Sequence, residues 1–242
     1  MTDKPLSDRI VVVTGASRGI GYTLARAIAA AGAHVVAVAR TVGGLEELDD
    51  EIRAAGGVAT LVPLDLTDGP GVDRLGGVLY ERFGRVDGLI GNAGILGPTS
   101  PLGHIAPKDW DKVMAVNVTA NWRLIRSLDP LLRAAPAGRA VFVTSSAARR
   151  IRAYWGPYAV SKAALEALVV TWARETETTP LKVNLINPGR LRTKMRAAAM
   201  PGEDPETLDT PDVLVPAVLA MLAPALAESG RVWDHPTGDW LA

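Results

Sequence analysis

Residues Ile10 to Gly21 read IVVVTGASRGIG. The first five, Ile10 to Thr14, form a continuous, largely β-branched run that stops at a glycine, the pattern of a strand buried on both faces. From Gly19 to Ala31 the apolar spacing becomes helical. A strand that turns through glycines into a helix opens a βα unit. Gly15 permits the tight turn, Gly19 lets backbone amides approach a phosphate, and Gly21 lets helix and sheet pack closely. The helix N-terminus adds N–H donors and a positive dipole end, a site suited to pyrophosphate. The spacing is G-x-x-x-G-x-G rather than the familiar G-x-G-x-x-G. Such a turn can also be only a turn, but its place after the first strand favours dinucleotide binding.

The segment Gly15 to Gly19 also fits G-x-S-x-G, the nucleophile elbow of serine hydrolases, with Ser17 as nucleophile. An elbow needs earlier strands to supply an oxyanion loop, and nothing upstream of Ile10 is long enough. It also needs a triad histidine, for which His235 is the only late candidate. The hydrolase stays as the lesser alternative.

Working outward, strands are expected at His34–Ala39, Thr60–Pro63, Gly88–Gly91, Ala140–Thr144 and Lys182–Ile186, with a last one at Arg231–Trp233. Helices are expected at Leu45–Ala55, Val72–Phe83, Trp110–Ala134 with a break near Pro130, and Tyr158–Glu175. Thr210-Pro211 starts a final helix, and Pro216 within it predicts a kink or a later start. Strands alternate with helices, so the fold class is α/β. We expect a single-domain, doubly wound (Rossmann) fold over residues 1–242, with a parallel sheet of about seven strands and helices on both faces.

Composition narrows the function. The 242 residues are 48% apolar, enough for a full core, which would bury about three-quarters of the unfolded surface. Acidic and basic residues number 26 each, so the net charge is zero and bulk electrostatics do not favour nucleic acid. No apolar run nears the roughly 20 residues of a membrane span. Met1 to Arg9 is polar and lacks the apolar core of a secretory signal, so the expected location is cytoplasmic. Without cysteine there are no disulfides, thiol nucleophiles or cysteine zinc sites, and His34, His104 and His235 lack metal spacing, so no metal is expected.

Chemistry is concentrated in Tyr158-Ala159-Val160-Ser161-Lys162, where Pro157 suits a first helical turn. Residues four apart share a helix face, so the Lys162 ammonium can lie beside the Tyr158 phenol. A nearby cation favours phenolate, typically by about 1–3 pK units, which suits a general acid working near neutral pH. Alone, the pair can equally be surface packing. At the end of the second strand, Arg40 stands where a carboxylate would select an unphosphorylated ribose. Arg40, with Arg18, could pair a 2′-phosphate and so favour NADP(H) over NAD(H), although either can be merely solvated.

With these stretches in place, the chain closely resembles the classical short-chain dehydrogenase/reductase family from about Ser7 to Val232. TGASRGIG (Thr14 to Gly21) and YAVSK (Tyr158 to Lys162) match its coenzyme and active-site motifs. The resemblance implies that Gly15, Ser17, Arg18, Gly19 and Ile20 cradle the coenzyme. It also implies that Asp65 and Leu66 lie near the adenine, and that Asn92, Ala93 and Gly94 border the coenzyme. Pro188-Gly189-Arg190-Leu191-Arg192-Thr193 matches PGxxxT, so Pro188, Gly189 and Thr193 are expected at the nicotinamide. Asn117, a serine, Tyr158 and Lys162 would form the catalytic set. Lys162 would also bind the nicotinamide ribose, and Asn117 would hold a water linking Lys162 to solvent. The family's usual spacing of thirteen residues selects Ser145, whereas alignment through the Ser-Ser pair selects Ser146. We take Ser146 and leave Ser145 open. Gly91 replaces the first asparagine of the family's Asn-Asn-Ala-Gly, and the tail Trp233 to Pro236 lacks its glycine-rich ending.

The implied reaction is hydride transfer between a nicotinamide and a carbonyl or alcohol on a small molecule. A nucleotide-binding sensor without turnover is the second reading. Substrate walls are expected at Ile95–Ser100, Arg149–Trp155 and after Thr193. The cations Arg149, Arg150, Arg152, Arg190, Arg192, Lys194 and Arg196 could attract an acid or form a solvated rim. The resemblance also implies a homodimer or homotetramer. Trp122, Leu124, Ile125, Leu128 and Leu165, Leu168, Val169, Trp172 could face the partner or the core.

Overall fold

A computed structural model describes residues 4–241, so Met1 to Asp3 of the polar N-terminal stretch lie outside the described residues. Eight strands form one sheet in the order β3-β2-β1-β4-β5-β6-β7-β8. They are β1 (Ile10–Thr14), β2 (His34–Ala39), β3 (Val58–Pro63), β4 (Gly88–Gly91), β5 (Arg139–Val143), β6 (Lys182–Asn187), β7 (Val232–Asp234) and β8 (Asp239–Leu241). All neighbours pair in parallel except β7 and β8, an antiparallel hairpin. The strand order reverses between β1 and β4, and ligands of doubly wound sheets bind at such a reversal.

The helices are α1 (Gly19–Ala30), α2 (Val42–Ala54), α3 (Gly69–Phe83), α4 (Pro107–Met114), α5 (Ala120–Ala134), α6 (Gly156–Glu175), α7 (Lys194–Ala199) and α8 (Val215–Leu222). Alternate residues of β1 serve opposite faces of the sheet. Val11 and Val13 pack with Leu24, Ile28, Leu45 and Leu222 of α1, α2 and α8. Val12 packs with Leu75, Leu124, Leu128 and Leu165 of α3, α5 and α6. This double covering is why the strands read as continuous apolar runs.

Two expectations need correction, and two open alternatives are resolved. The long fourth helix is not broken at Pro130, which lies inside α5. Its irregularity is a π-helical turn at Ala115–Thr119, between α4 and α5. An eighth strand follows the seventh. Gly238 takes the left-handed turn conformation (φ 69°), and Trp233 and Trp240 pack edge to face at 5.5 Å, which closes the hairpin. Leu124, Leu128, Leu165, Val169 and Trp172 are core, and of the eight residues weighed for a partner face only Trp122 is exposed. Pro216 produces a later start rather than a kink, because a 3-10 turn at Pro211–Leu214 precedes α8.

Gly91 has a packing reason. A Cβ there would run into the Phe142 ring on neighbouring β5. The large aromatic takes the room that an asparagine side chain would need.

Candidate active site

The carboxyl ends of β1 and β4 flank the strand-order reversal, with those of β2 and β3 beside them. Gly15 (φ 66°) and Gly19 (φ 57°) both adopt the left-handed conformation that favours glycine. A Cβ on Gly15 would sit 2.8 Å from Asn92 Nδ2, and one on Gly21 would strike the Gly15 carbonyl. Thr14 ties this turn to β4. Its hydroxyl accepts from the N–H groups of Asn92 (3.0 Å) and Ala93 (3.1 Å) and donates to the Ile90 carbonyl (3.2 Å). The Asn92 side chain returns the contact by donating to the Thr14 carbonyl (2.9 Å).

Helix α1 starts at this turn without a side-chain cap and without an acidic residue in its first turn. Its leading N–H groups and dipole are therefore left for an anion. A Cβ on Gly19 would find only the Thr193 methyl, 3.9 Å away. The glycine turn and the segment after β6 thus flank one crevice, and the cradle fits a dinucleotide pyrophosphate. Ser17 packs against Gly44 of α2, and among the described residues no histidine bonds to it, contrary to a hydrolase elbow. Arg18 and Arg40 are exposed at the rim, and Ile20 is half-buried beneath it. Arg40 lies 3.6 Å from Asp65, which follows β3. Hydrogen bonds from Thr67, backbone first, hold the Asp65 carboxyl below its ordinary range, with the Arg40 charge adding to them. Leu66 beside it is buried.

Across the crevice, α6 carries Tyr158 and Lys162, both buried. Lys162 Nζ donates to the Val143 carbonyl at the end of β5 (2.8 Å) and lies 5.8 Å from the centre of the Tyr158 ring. Burial pulls the Lys162 ammonium from 10.5 down to about 8, against the charge of Glu166. Burial pushes the Tyr158 phenol up, and hydrogen bonding with the Ser145 side chain opposes that shift. The net shift of the phenol is therefore upward, against the expectation of a lowered value, because burial outweighs the influences that favour the phenolate.

The structure places the two candidate serines differently. Ser145 continues the extended path of β5 (φ −160°, ψ 150°), and its hydroxyl is the side chain that the phenol meets. Ser146 begins a 3-10 turn and is exposed.

Asn117 sits in the π-helical turn, fully buried. Its Oδ1 accepts from the Ile95 N–H (2.9 Å), and its Nδ2 donates to the Ile95 carbonyl and to Ser161 Oγ (both 2.9 Å). Ser161 in turn donates to the Tyr158 carbonyl (2.8 Å). A Cβ on Gly94 would fall 3.3 Å from Asn117 Oδ1 and 3.6 Å from Lys162 Nζ, so these three residues converge. Such π-turns recur at functional sites because the extra residue re-aims the helix backbone.

Pro188 and Gly189 (φ 73°) turn the chain after β6, with Gly189 against Pro236 of the β7–β8 turn. Thr193 caps α7 by accepting from the Arg196 N–H (3.1 Å). Asn187, absent from the sequence reading, organises this corner. Its Oδ1 accepts from the N–H groups of Ser146 (3.0 Å) and Gly189 (3.3 Å), while its Nδ2 donates to Asp234. An asparagine ending the strand just before Pro-Gly was the available signal. Four of the seven wall cations are paired: Arg149 with Glu166, Arg190 and Arg196 with Glu203, and Arg192 with Glu206. That pairing removes most of the case for an acidic substrate.

A doubly wound sheet with this glycine cradle and a buried Tyr-Lys pair defines a nucleotide-dependent oxidoreductase. The family model for short chain dehydrogenase matches residues 9–204. The chain belongs to the short-chain dehydrogenase/reductase family, oxidoreductases that act on alcohol and carbonyl groups. It is 38% identical over 237 residues to the oxidoreductase YciK of Escherichia coli, covering 96% of this chain and 94% of that one. A short chain dehydrogenase structure from Pseudomonas syringae superposes with a TM-score of 0.93 at 40% identity, covering 96% of each chain. One from Shigella flexneri, complexed with NADP, has a TM-score of 0.93 at 37% identity and covers 97% of this chain and 100% of that one.

Proposed function

We propose that this protein interconverts a carbonyl and an alcohol on a small molecule using NADP(H), with Tyr158 as the general acid and base. The bound nicotinamide supplies or accepts the hydride. Tyr158 donates its proton to the developing alkoxide oxygen in reduction and removes it in oxidation, a role worth typically 10²–10⁴-fold. Ser145, in place of Ser146, hydrogen-bonds that oxygen and holds it against the phenol. Lys162 supplies positive charge beside the phenol and a donor for the ribose. Asn117, fixed by Ile95 and Ser161, holds the turn that borders Lys162. Pro188, Gly189 and Thr193 flank the nicotinamide end, while Asn92, Ala93 and Gly94 line the floor.

The observation that carries this reading is the meeting of the Tyr158 phenol, the Ser145 hydroxyl and the buried Lys162 at the carboxyl end of the sheet. NADP(H) is favoured by two rim arginines, Arg18 and Arg40, where helix α2 also starts without a side-chain cap or an acidic first turn. The coenzyme cradle and the catalytic helix share one sheet, so we treat the chain as a single working domain. No helix among the described residues is long and apolar enough to cross a membrane. We place the protein in the cytoplasm as a homodimer or homotetramer. The exposed Trp122 of α5 and Val160 of α6 are the apolar residues that would face a partner.

Thermal melting with NADPH and with NADH, followed by nicotinamide absorbance over a panel of aldehydes and ketones, tests the reading. It predicts a larger stabilisation by NADPH and turnover of at least one carbonyl. No stabilisation by either nucleotide would reject the coenzyme role, and stabilisation without turnover would favour the sensor.

A further inference from the structure

Glu166 lies four residues after Lys162 on α6, hence on the same helix face. Its side chain is only 14% exposed, and both of its oxygens are engaged. Oε1 accepts from the Thr144 hydroxyl (2.8 Å), and Oε2 accepts from Arg149 Nε (3.0 Å). Thr144 adjoins Val143, whose carbonyl takes the Lys162 ammonium, and precedes Ser145. Arg149 follows the 3-10 turn that leaves the serine pair. One carboxylate thus touches the strand end before Ser145 and the loop after it, from the helix that carries Tyr158 and Lys162.

We infer that Glu166 is a positioning residue that clamps the Ser145 loop onto α6 and keeps the Lys162 side chain cationic. The inference rests on the proposed function for its catalytic meaning, although the clamp is a property of the chain alone. Its electrostatic half follows from burial. Desolvation disfavours the Lys162 ammonium, and the Glu166 charge is the one that opposes it. The other groups facing the ammonium, Asn117 and Gly94 across the crevice and the Val143 carbonyl, carry no charge. Tyr158, one turn back on α6, is neutral while its phenol stays protonated, and Arg149 acts on Lys162 only through the carboxylate it pairs. Thr144 fixes one carboxylate oxygen toward the strand end, so the negative charge cannot swing out to solvent with Arg149.

The test is direct titration of Lys162 in full-length protein labelled with carbon-13 at the lysine ε-carbon. Lys162→Met assigns the signal. In Glu166→Gln, which still offers Thr144 an acceptor, the Lys162 midpoint should move down by about one pH unit. Thr144→Val, which keeps the side-chain shape and frees the carboxylate, should shift it in the same direction by less. It also serves if Glu166→Gln does not fold. A Lys162 midpoint that stays at its wild-type position in the folded variants overturns the inference. The titration requires neither coenzyme nor substrate, so its failure is distinguishable from an absence of turnover, which would count against the proposed function instead.

Discussion

The Tyr158 phenol meets the side chain of Ser145, while the neighbouring Ser146 is exposed. The two serines are adjacent and chemically identical, so only backbone direction separates them. Ser145 extends β5 toward α6, and Ser146 turns away into a 3-10 turn. Ser145→Ala should therefore lower kcat by about 10²–10³-fold, the usual cost of one donor to a developing oxyanion. Ser146→Ala should leave kcat near the wild-type value. Steady-state kinetics on the two variants with a turned-over carbonyl checks this, and the reverse ranking would restore Ser146.

Arg40 should read the coenzyme's 2′-phosphate. A charge-assisted hydrogen bond is worth about 1.5–3 kcal/mol, so Arg40→Ala should raise KM for NADP(H) by roughly 10- to 100-fold. KM for NAD(H) should hold steady or fall, because Arg40 has no phosphate to meet there. Comparable KM values for the two coenzymes in wild type and variant would show that another residue makes the choice.

Lys162 makes a signed prediction about stability. Its pKa in the folded chain, about 8, lies below its ordinary 10.5. Between those values the unfolded chain binds the extra proton, so this group makes stability rise with pH. The cost of burying its charge is present in full below about pH 8 and is gone above 10.5. The gap, at 1.36 kcal/mol per pH unit, corresponds to about 3 kcal/mol. Lys162→Met removes the titration, so any stability advantage of the variant over wild type should shrink by about that amount across the window. Urea unfolding at several pH values measures it, and a difference that does not change with pH would contradict the buried-ammonium account.

Much of the framework was legible in the residues themselves. Strands buried on both faces show as unbroken β-branched runs, as in Ile10–Thr14 and His34–Ala39, and glycines mark their turns. What escaped was decided by geometry that composition does not record. The π-turn at Asn117 inserts one residue into a helix whose apolar pattern continues on either side. Strand β8 is three residues long and depends on Gly238 and on Trp240 meeting Trp233. Glu166 and Asn187 read as an ordinary helix acid and a strand-end amide. Their roles come from partners 22 and 41 residues away, Thr144 and the Ser146 N–H. The upward direction of the Tyr158 shift has a related cause. Helical spacing foretells proximity to Lys162, but not that both groups are buried and that the ammonium bonds to Val143.

The most direct measurement is the comparison of Tyr158→Phe with wild type in both turnover and NADPH affinity. Removing one oxygen from a buried ring leaves the packing of α6 intact. Turnover should fall by about 10²–10⁴-fold or more, with the NADPH dissociation constant nearly unchanged. Turnover close to wild type in the phenylalanine variant would contradict the assignment of Tyr158 as the acid and base.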